Sequence, residues 1–116
     1  MLVIEDEYAI RVMLQEHLGH EGYVVETVDS IAEGLERIAN RQPDVILLDL
    51  MLPRLDGWTF LRQRQDVPAL TAIPVLVISA APQQRLLEAK ELGADAFLSK
   101  PFDLGVLNAL VRSFAR

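Results

Sequence analysis

Val45-Ile46-Leu47-Leu48-Asp49, continued by Leu50-Met51-Leu52-Pro53, is the stretch on which the fold of this chain turns. An uninterrupted run of apolar β-formers reads as a strand buried on both faces, as in a parallel sheet covered by helices. An acid at its carboxyl end falls where open α/β sheets place their ligands. Other apolar runs also end in chemically useful groups. Leu2-Val3-Ile4 meets Glu5-Asp6-Glu7, Val75-Leu76-Val77-Ile78 meets Ser79-Ala80, and Ala96-Phe97-Leu98-Ser99 meets Lys100-Pro101. Parallel strands would gather acids, a hydroxyl and a lysine at one edge of one sheet.

Between these runs the apolar pattern switches to helical spacing, which argues for repeated βα units. Ile10, Met13, Leu14 and Leu18 mark a first helix, with Gly19 as its expected stop. Tyr23 to Val28 reads as a second strand, and polar Glu26 and Thr27 suggest an edge position. Ser30 with Glu33 forms a capping box, and Ile31, Leu35, Ile38 and Ala39 give the second helix its buried face. Asp56-Gly57 predicts a turn and helix start with Phe60 and Leu61 inward. Pro82 suits a helix N1 position and Gly93 the C′ position that follows. A last helix from about Asp103 buries Leu104, Leu107, Leu110 or Val111, and Phe114.

The totals narrow the function. The 116 residues suit one domain, with 51% apolar and 24% charged residues in an ordinary globular balance. A net charge of −6 disfavours nucleic acid and anionic membrane as partners. There are no cysteines, so there is no disulfide framework, thiolate metal site or Cys nucleophile. No apolar run is long enough for a membrane span, no signal peptide is visible, and a cytoplasmic location fits. His17 and His20 read as ordinary helix-end residues, Trp58 as partial packing, and Arg54, Arg62 and Arg64 form no nucleic-acid footprint.

Glu5, Asp6 and Asp49 would crowd negative charge, which raises carboxyl pKa values unless a cation joins them. An oxygen-only cluster with few ligands favours Mg²⁺, or Mn²⁺ in its place. Lys100 supplies a fixed positive charge and Ser79 a hydroxyl donor. Together these are the parts that phosphoryl transfer needs: a nucleophile, charge neutralisation and an oxygen-directed donor. Taken singly, each residue has a plain structural reading as a cap, a turn hydroxyl or a surface lysine. The set at successive strand ends does not.

On these residues the chain resembles a response-regulator receiver domain of two-component signalling, chemotaxis-regulator-like, over essentially its whole length. The resemblance rests on Glu5-Asp6, Leu47-Leu48-Asp49-Leu50-Met51-Leu52-Pro53, Asp56-Gly57, Ser79-Ala80, Gly93-Ala94-Asp95 and Lys100-Pro101-Phe102. It implies a single flavodoxin-like α/β domain over residues 1–116, with no output domain. The implied sheet has five parallel strands in order 2-1-3-4-5, flanked by five helices. It makes Asp49 the phospho-acceptor, and Glu5, Asp6, Asp49 and the Met51 carbonyl the Mg²⁺ ligands. Ser79 and Lys100 would bind phosphoryl oxygens, Ser79 and Phe97 would form the switch, and the Lys100-Pro101 bond would be cis. The implied donor is a sensor histidine kinase or a histidine phosphotransfer protein. The readout would go to a downstream protein or a missing output domain, through the face of the fourth helix, fifth strand and last helix. Such a protein is a self-catalysing switch rather than a dedicated enzyme. Two other classes are an Mg²⁺-dependent phosphatase with an aspartyl nucleophile and a non-phosphorylated interaction module. The first usually carries another Asp two residues beyond its nucleophile, where this chain has Met51. Intact Asp6, Asp49, Ser79 and Lys100 argue against the second.

Overall fold

The computed structural model describes residues 1–115. In chain order the elements are β1 Leu2–Ile4, α1 Tyr8–His20, β2 Glu26–Val28, α2 Ile31–Asn40, β3 Ile46–Leu48 and α3 Gly57–Arg64. There follow α4 Pro68–Thr71, β4 Val75–Ser79, α5 Gln83–Glu91, β5 Ala96–Ser99 and α6 Leu104–Phe114. Every strand pair is parallel, as the alternating pattern predicts, and the order is β2-β1-β3-β4-β5, as the resemblance implies.

Period-two alternation decides which layer each strand residue faces. Leu2, Ile4, Ile46, Leu48, Val75 and Val77 pack with Ile31 of α2, Phe60 and Leu61 of α3 and Leu86 of α5. Val3, Val45, Leu47, Leu76 and Ile78 pack on the other face with Leu14 and Leu18 of α1 and Leu107 and Val111 of α6. The central strands are therefore buried on both sides, which is why their sequences are unbroken apolar runs. The edge strands β2 and β5 are only partly covered.

Several expectations need correction. Among the described residues there are six helices, not five, because Val67-Pro68 starts the short helix α4. Proline pre-sets φ for a first helical turn and loses no hydrogen bond there. Pro82 is the N-cap of α5 rather than its N1 residue, and α1 runs past Gly19 to His20. The second strand is confined to Glu26–Val28. Ala39 is exposed and Leu104 is 40% exposed, so the apolar faces of α2 and α6 are narrower than their composition suggests.

The connection after β3 shapes the site. Asp56 caps α3, its Oδ1 accepting the Thr59 N–H at 2.9 Å, and the Gly57 N–H donates to the Leu50 carbonyl at 2.9 Å. A Cβ on Gly57 would lie 2.8 Å from the Leu50 Cα and 3.0 Å from the Asp49 carbonyl oxygen, both backbone atoms. Gly57→Ala should accordingly destabilise the protein by about 1–3 kcal/mol, the usual cost of overpacking. Gly19, with nothing within 4 Å, serves as the control. Gly19→Ala should gain roughly 0.5–1 kcal/mol in helix stability. Urea melts of both variants check the pair, and equal midpoints would contradict it.

Candidate functional site

Strand order reverses beside β1: the chain leaves β1 for β2 on one side and returns to β3 on the other. Ligand sites of open α/β sheets form in the crevice at the carboxyl ends of such neighbouring strands. Ile4 pairs with Leu48, and the Asp49 N–H continues the ladder to the Ile4 carbonyl at 3.0 Å. That register sets Glu5 and Asp49 side by side. Asp6 follows on the connection into α1, and carboxylate oxygens of Glu5, Asp6 and Asp49 lie within 4.8 Å of one another. Glu5 and Asp49 are buried, whereas Asp6 is exposed.

Lys100 reaches this group from the end of β5. Its Nζ donates to Glu5 Oε1 at 2.6 Å and to Asp49 Oδ2 at 3.3 Å. The Lys100-Pro101 peptide is cis, as expected, and the Lys100 N–H donates to the Ser79 carbonyl at 3.0 Å. Burial pushes the Glu5 carboxyl up to about 7; the bond from Lys100 opposes this, and the Asp49 charge adds to it. For Lys100, burial alone would lower the pKa. The bond to Glu5 and the charge of Asp49 outweigh it, so the ammonium is held above its ordinary range. These directions agree with the short contact: Lys100 limits how far Glu5 rises without cancelling the cost of burying it.

The remaining site residues are held by the backbone. Asp49 Oδ1 accepts the Met51 N–H at 3.2 Å, leaving Oδ2 toward Lys100. Ser79 ends β4 fully buried, and its Oγ accepts the Ala81 N–H at 3.2 Å, so its hydroxyl proton can still be donated elsewhere. Phe97, in β5, is half-buried against the layer that holds α3 and α5. Of the residues named from the sequence, the structure brings Glu5, Asp6, Asp49 and Lys100 into one cluster and places Ser79 at the end of β4.

Two arginines escaped that reading. Arg64 is buried and donates to the carbonyls of Leu70, Gly93 and Ile73, tying α4 and the turn before β5 to α3. Arg11 donates to the carbonyls of Glu5 at 2.9 Å and Asp6 at 3.4 Å. Neither role has a sequence signature, since each depends on backbone carbonyls brought close only by folding. Trp58 is more deeply packed than its expected partial burial. Its Nε1 donates to the Arg85 carbonyl at 3.0 Å, and the Arg85 guanidinium lies 4.0 Å from its ring. His17 Nε2 is hydrogen-bonded to Asn108 Oδ1 at 2.8 Å.

The donor set fits a hard divalent cation. It offers oxygen only, from two buried carboxylates and one open to solvent, all within 4.8 Å of one another. The fold is a doubly wound α/β domain with a carboxylate–lysine cluster at the carboxyl ends of β1, β3 and β5. Residues 1–112 match the family model described as the response regulator receiver domain, and the chain belongs to that family.

Among relatives, the chain is 42% identical over 113 residues to the KDP operon transcriptional regulatory protein KdpE of Escherichia coli (strain K12), covering 97% of this chain and 49% of the relative. It is 38% identical over 117 residues to the response regulator MprA of Mycobacterium ulcerans (strain Agy99), covering 100% and 50%. The chain therefore spans about half the length of the curated relatives it matches. Among solved structures, the response regulator (signal receiver domain) from Bermanella marisrubri superposes with TM-score 0.90 at 29% identity, over 97% of this chain and 94% of that one. The Vibrio cholerae chemotaxis protein CheY4 superposes with TM-score 0.87 at 27% identity, over 97% and 95%. No helix among the described residues is long and apolar enough to cross a membrane.

Proposed function

We propose that this receiver domain is a phosphorylation-driven switch with Asp49 as the phospho-acceptor. The observation that carries the reading is the grip of Lys100 Nζ on both Glu5 and Asp49 at the strand-order reversal. Structural ion pairs rarely draw three acids and a lysine to one sheet edge, since desolvating the charges costs more than a lone pair returns. Glu5, Asp6, Asp49 and the Met51 carbonyl would hold Mg²⁺, which when bound supplies positive charge to the oxygens of an incoming phosphoryl group.

The chain's own residues supply the rest. An Asp49 carboxylate oxygen attacks phosphorus of a phosphohistidine on a sensor kinase or phosphotransfer protein. The O–P bond forms as the P–N bond breaks, and the imidazole leaves with the electron pair. The Lys100 ammonium, already 3.3 Å from Asp49 Oδ2, turns from Glu5 toward a phosphoryl oxygen. The Ser79 hydroxyl donates to a second oxygen, and Phe97 follows the loop after β4. Hydrolysis of the acyl phosphate resets the switch. The readout surface is formed by α5, β5 and α6, facing a downstream protein or an output segment.

Incubation with acetyl phosphate and Mg²⁺ should add one phosphate, read by intact mass, and chelation should abolish the addition. Sustained Mg²⁺-dependent turnover of p-nitrophenyl phosphate would instead favour an aspartyl-nucleophile phosphatase.

A further inference from the structure

Arg11 stands one turn into α1, with its guanidinium folded back over the connection that carries the acids. Its Nη1 donates to the Glu5 carbonyl at 2.9 Å and, more weakly, to the Asp6 carbonyl at 3.4 Å. Other ties on this connection are the Glu5 N–H to the Val28 carbonyl at 3.0 Å, the Glu7 N–H to Glu5 Oε2 at 3.1 Å, Lys100 Nζ to Glu5 Oε1 at 2.6 Å and the Arg11 N–H to the Glu7 carbonyl at 3.0 Å. None of these reaches Asp6, whose side chain is exposed. The helix itself gives little help, because Glu7 at its N-cap makes no side-chain capping bond. Tyr8 lies beneath the guanidinium, its ring centroid 5.5 Å from Arg11 Cζ, which limits where the arginine can swing.

A cation held by these carboxylates needs their oxygens at fixed positions, and groups that orient ligands from outside matter nearly as much as the ligands. We infer that Arg11 is a positioning residue for the divalent-cation site. It clamps the backbone between Glu5 and Asp6 so that both carboxylates converge with Asp49. The inference rests on the cation site proposed above.

Electrostatics alone makes the opposite prediction. Arg11 is a positive charge near a cation site, so removing it should strengthen Mg²⁺ binding if charge were all that mattered. Positioning predicts weakening. The two accounts therefore differ in sign, and a purely structural role would change only the melting temperature.

The test is calorimetric titration of the metal-free protein with MgCl₂, in wild type, Arg11→Gln and Arg11→Lys. Arg11→Gln should raise the Mg²⁺ Kd roughly tenfold or more, the range seen when a ligand-orienting partner is lost. Arg11→Lys keeps the charge and one donor, and it should fall between the two. In an Asp6→Asn background the Arg11→Gln effect should shrink, since the two would act through one element. An Arg11→Gln Kd equal to or below the wild-type value would overturn the positioning role while leaving the cation site intact. No Mg²⁺ binding by wild type would overturn both. If Arg11→Gln does not fold, Arg11→Lys carries the same comparison, and a wild-type Kd in that variant would refute the clamp.

Discussion

Asp49→Asn should take up no phosphate from acetyl phosphate under conditions in which the wild-type chain should take up one. The expectation rests on position. Asp49 ends the central strand β3, its Oδ2 faces Lys100, and its Oδ1 is held by the Met51 N–H. Glu5 is closed off by the 2.6 Å contact with Lys100 and the Glu7 N–H, while Asp6 is exposed on the connection to α1. An amide keeps the size of Asp49 and both of its backbone and lysine contacts in reach, but its oxygen is a far weaker nucleophile than a carboxylate. Removing a nucleophile from an assembled site leaves only slow background chemistry. The same change takes one charge from a crowded cluster, so the metal-free melting temperature should rise while Mg²⁺ affinity falls. Full phosphorylation of Asp49→Asn would mean that another carboxylate is the acceptor.

Lys100→Met is the second large effect. The lysine neutralises two buried carboxylates, and losing one member of a buried ion pair leaves the others unpaired. At pH above 7 and without Mg²⁺ the variant should lose roughly 3–5 kcal/mol of stability. Below that pH the loss should be smaller. Glu5 already has a pKa raised to about 7, and without Lys100 it rises further and takes up a proton instead of remaining an unpaired charge. Mg²⁺ should recover more stability in the variant than in wild type, because a second cation no longer competes for the same oxygens. Phosphorylation by acetyl phosphate should nonetheless slow by about 10²-fold or more, the usual cost of removing a preorganised charge from a transition state. A variant as stable as wild type at pH 8 without metal would show that Lys100 carries no part of the acid cluster's electrostatics.

Most of this site could be read from the chain because parallel sheets translate sequence into space directly. Parallel strands end at one edge of the sheet, so Glu5, Asp49, Ser79 and Lys100 could be placed together from the apolar runs they follow. Local chemistry was equally legible. Asp56 caps α3, the Ser30 side chain accepts the Glu33 N–H, and Gly93 takes a φ of +107° after α5. What could not be read depends on partners that folding supplies. Arg64 looks like a solvent-facing arginine in the 3.6-residue pattern, yet it is buried against carbonyls from Leu70, Ile73 and Gly93. Arg11 resembles any helix-surface cation until the β1–α1 connection folds beneath it. Leu104 and Ala39 failed for a different reason: periodicity gives the direction of an apolar face but not how far its neighbours extend over it.

The central claim is that phosphate at Asp49 is read through Ser79. The Ser79 hydroxyl is fully buried, accepts the Ala81 N–H and retains a proton to donate. A hydrogen bond to a charged oxygen contributes roughly 1.5–3 kcal/mol. That shifts a two-state equilibrium by about one to two orders of magnitude. Such a shift would carry the loop from Ser79 to Pro82 and, with it, α5 and Phe97. The most direct measurement is amide NMR of wild type and Ser79→Ala, with and without Mg²⁺ and beryllofluoride, a stable mimic of the aspartyl phosphate. In wild type, beryllofluoride should shift resonances around Asp49, along residues 79–91 and in β5. In Ser79→Ala the changes near Asp49 should persist while those in α5 and β5 collapse. Wild-type-sized changes in α5 and β5 of Ser79→Ala would contradict the account.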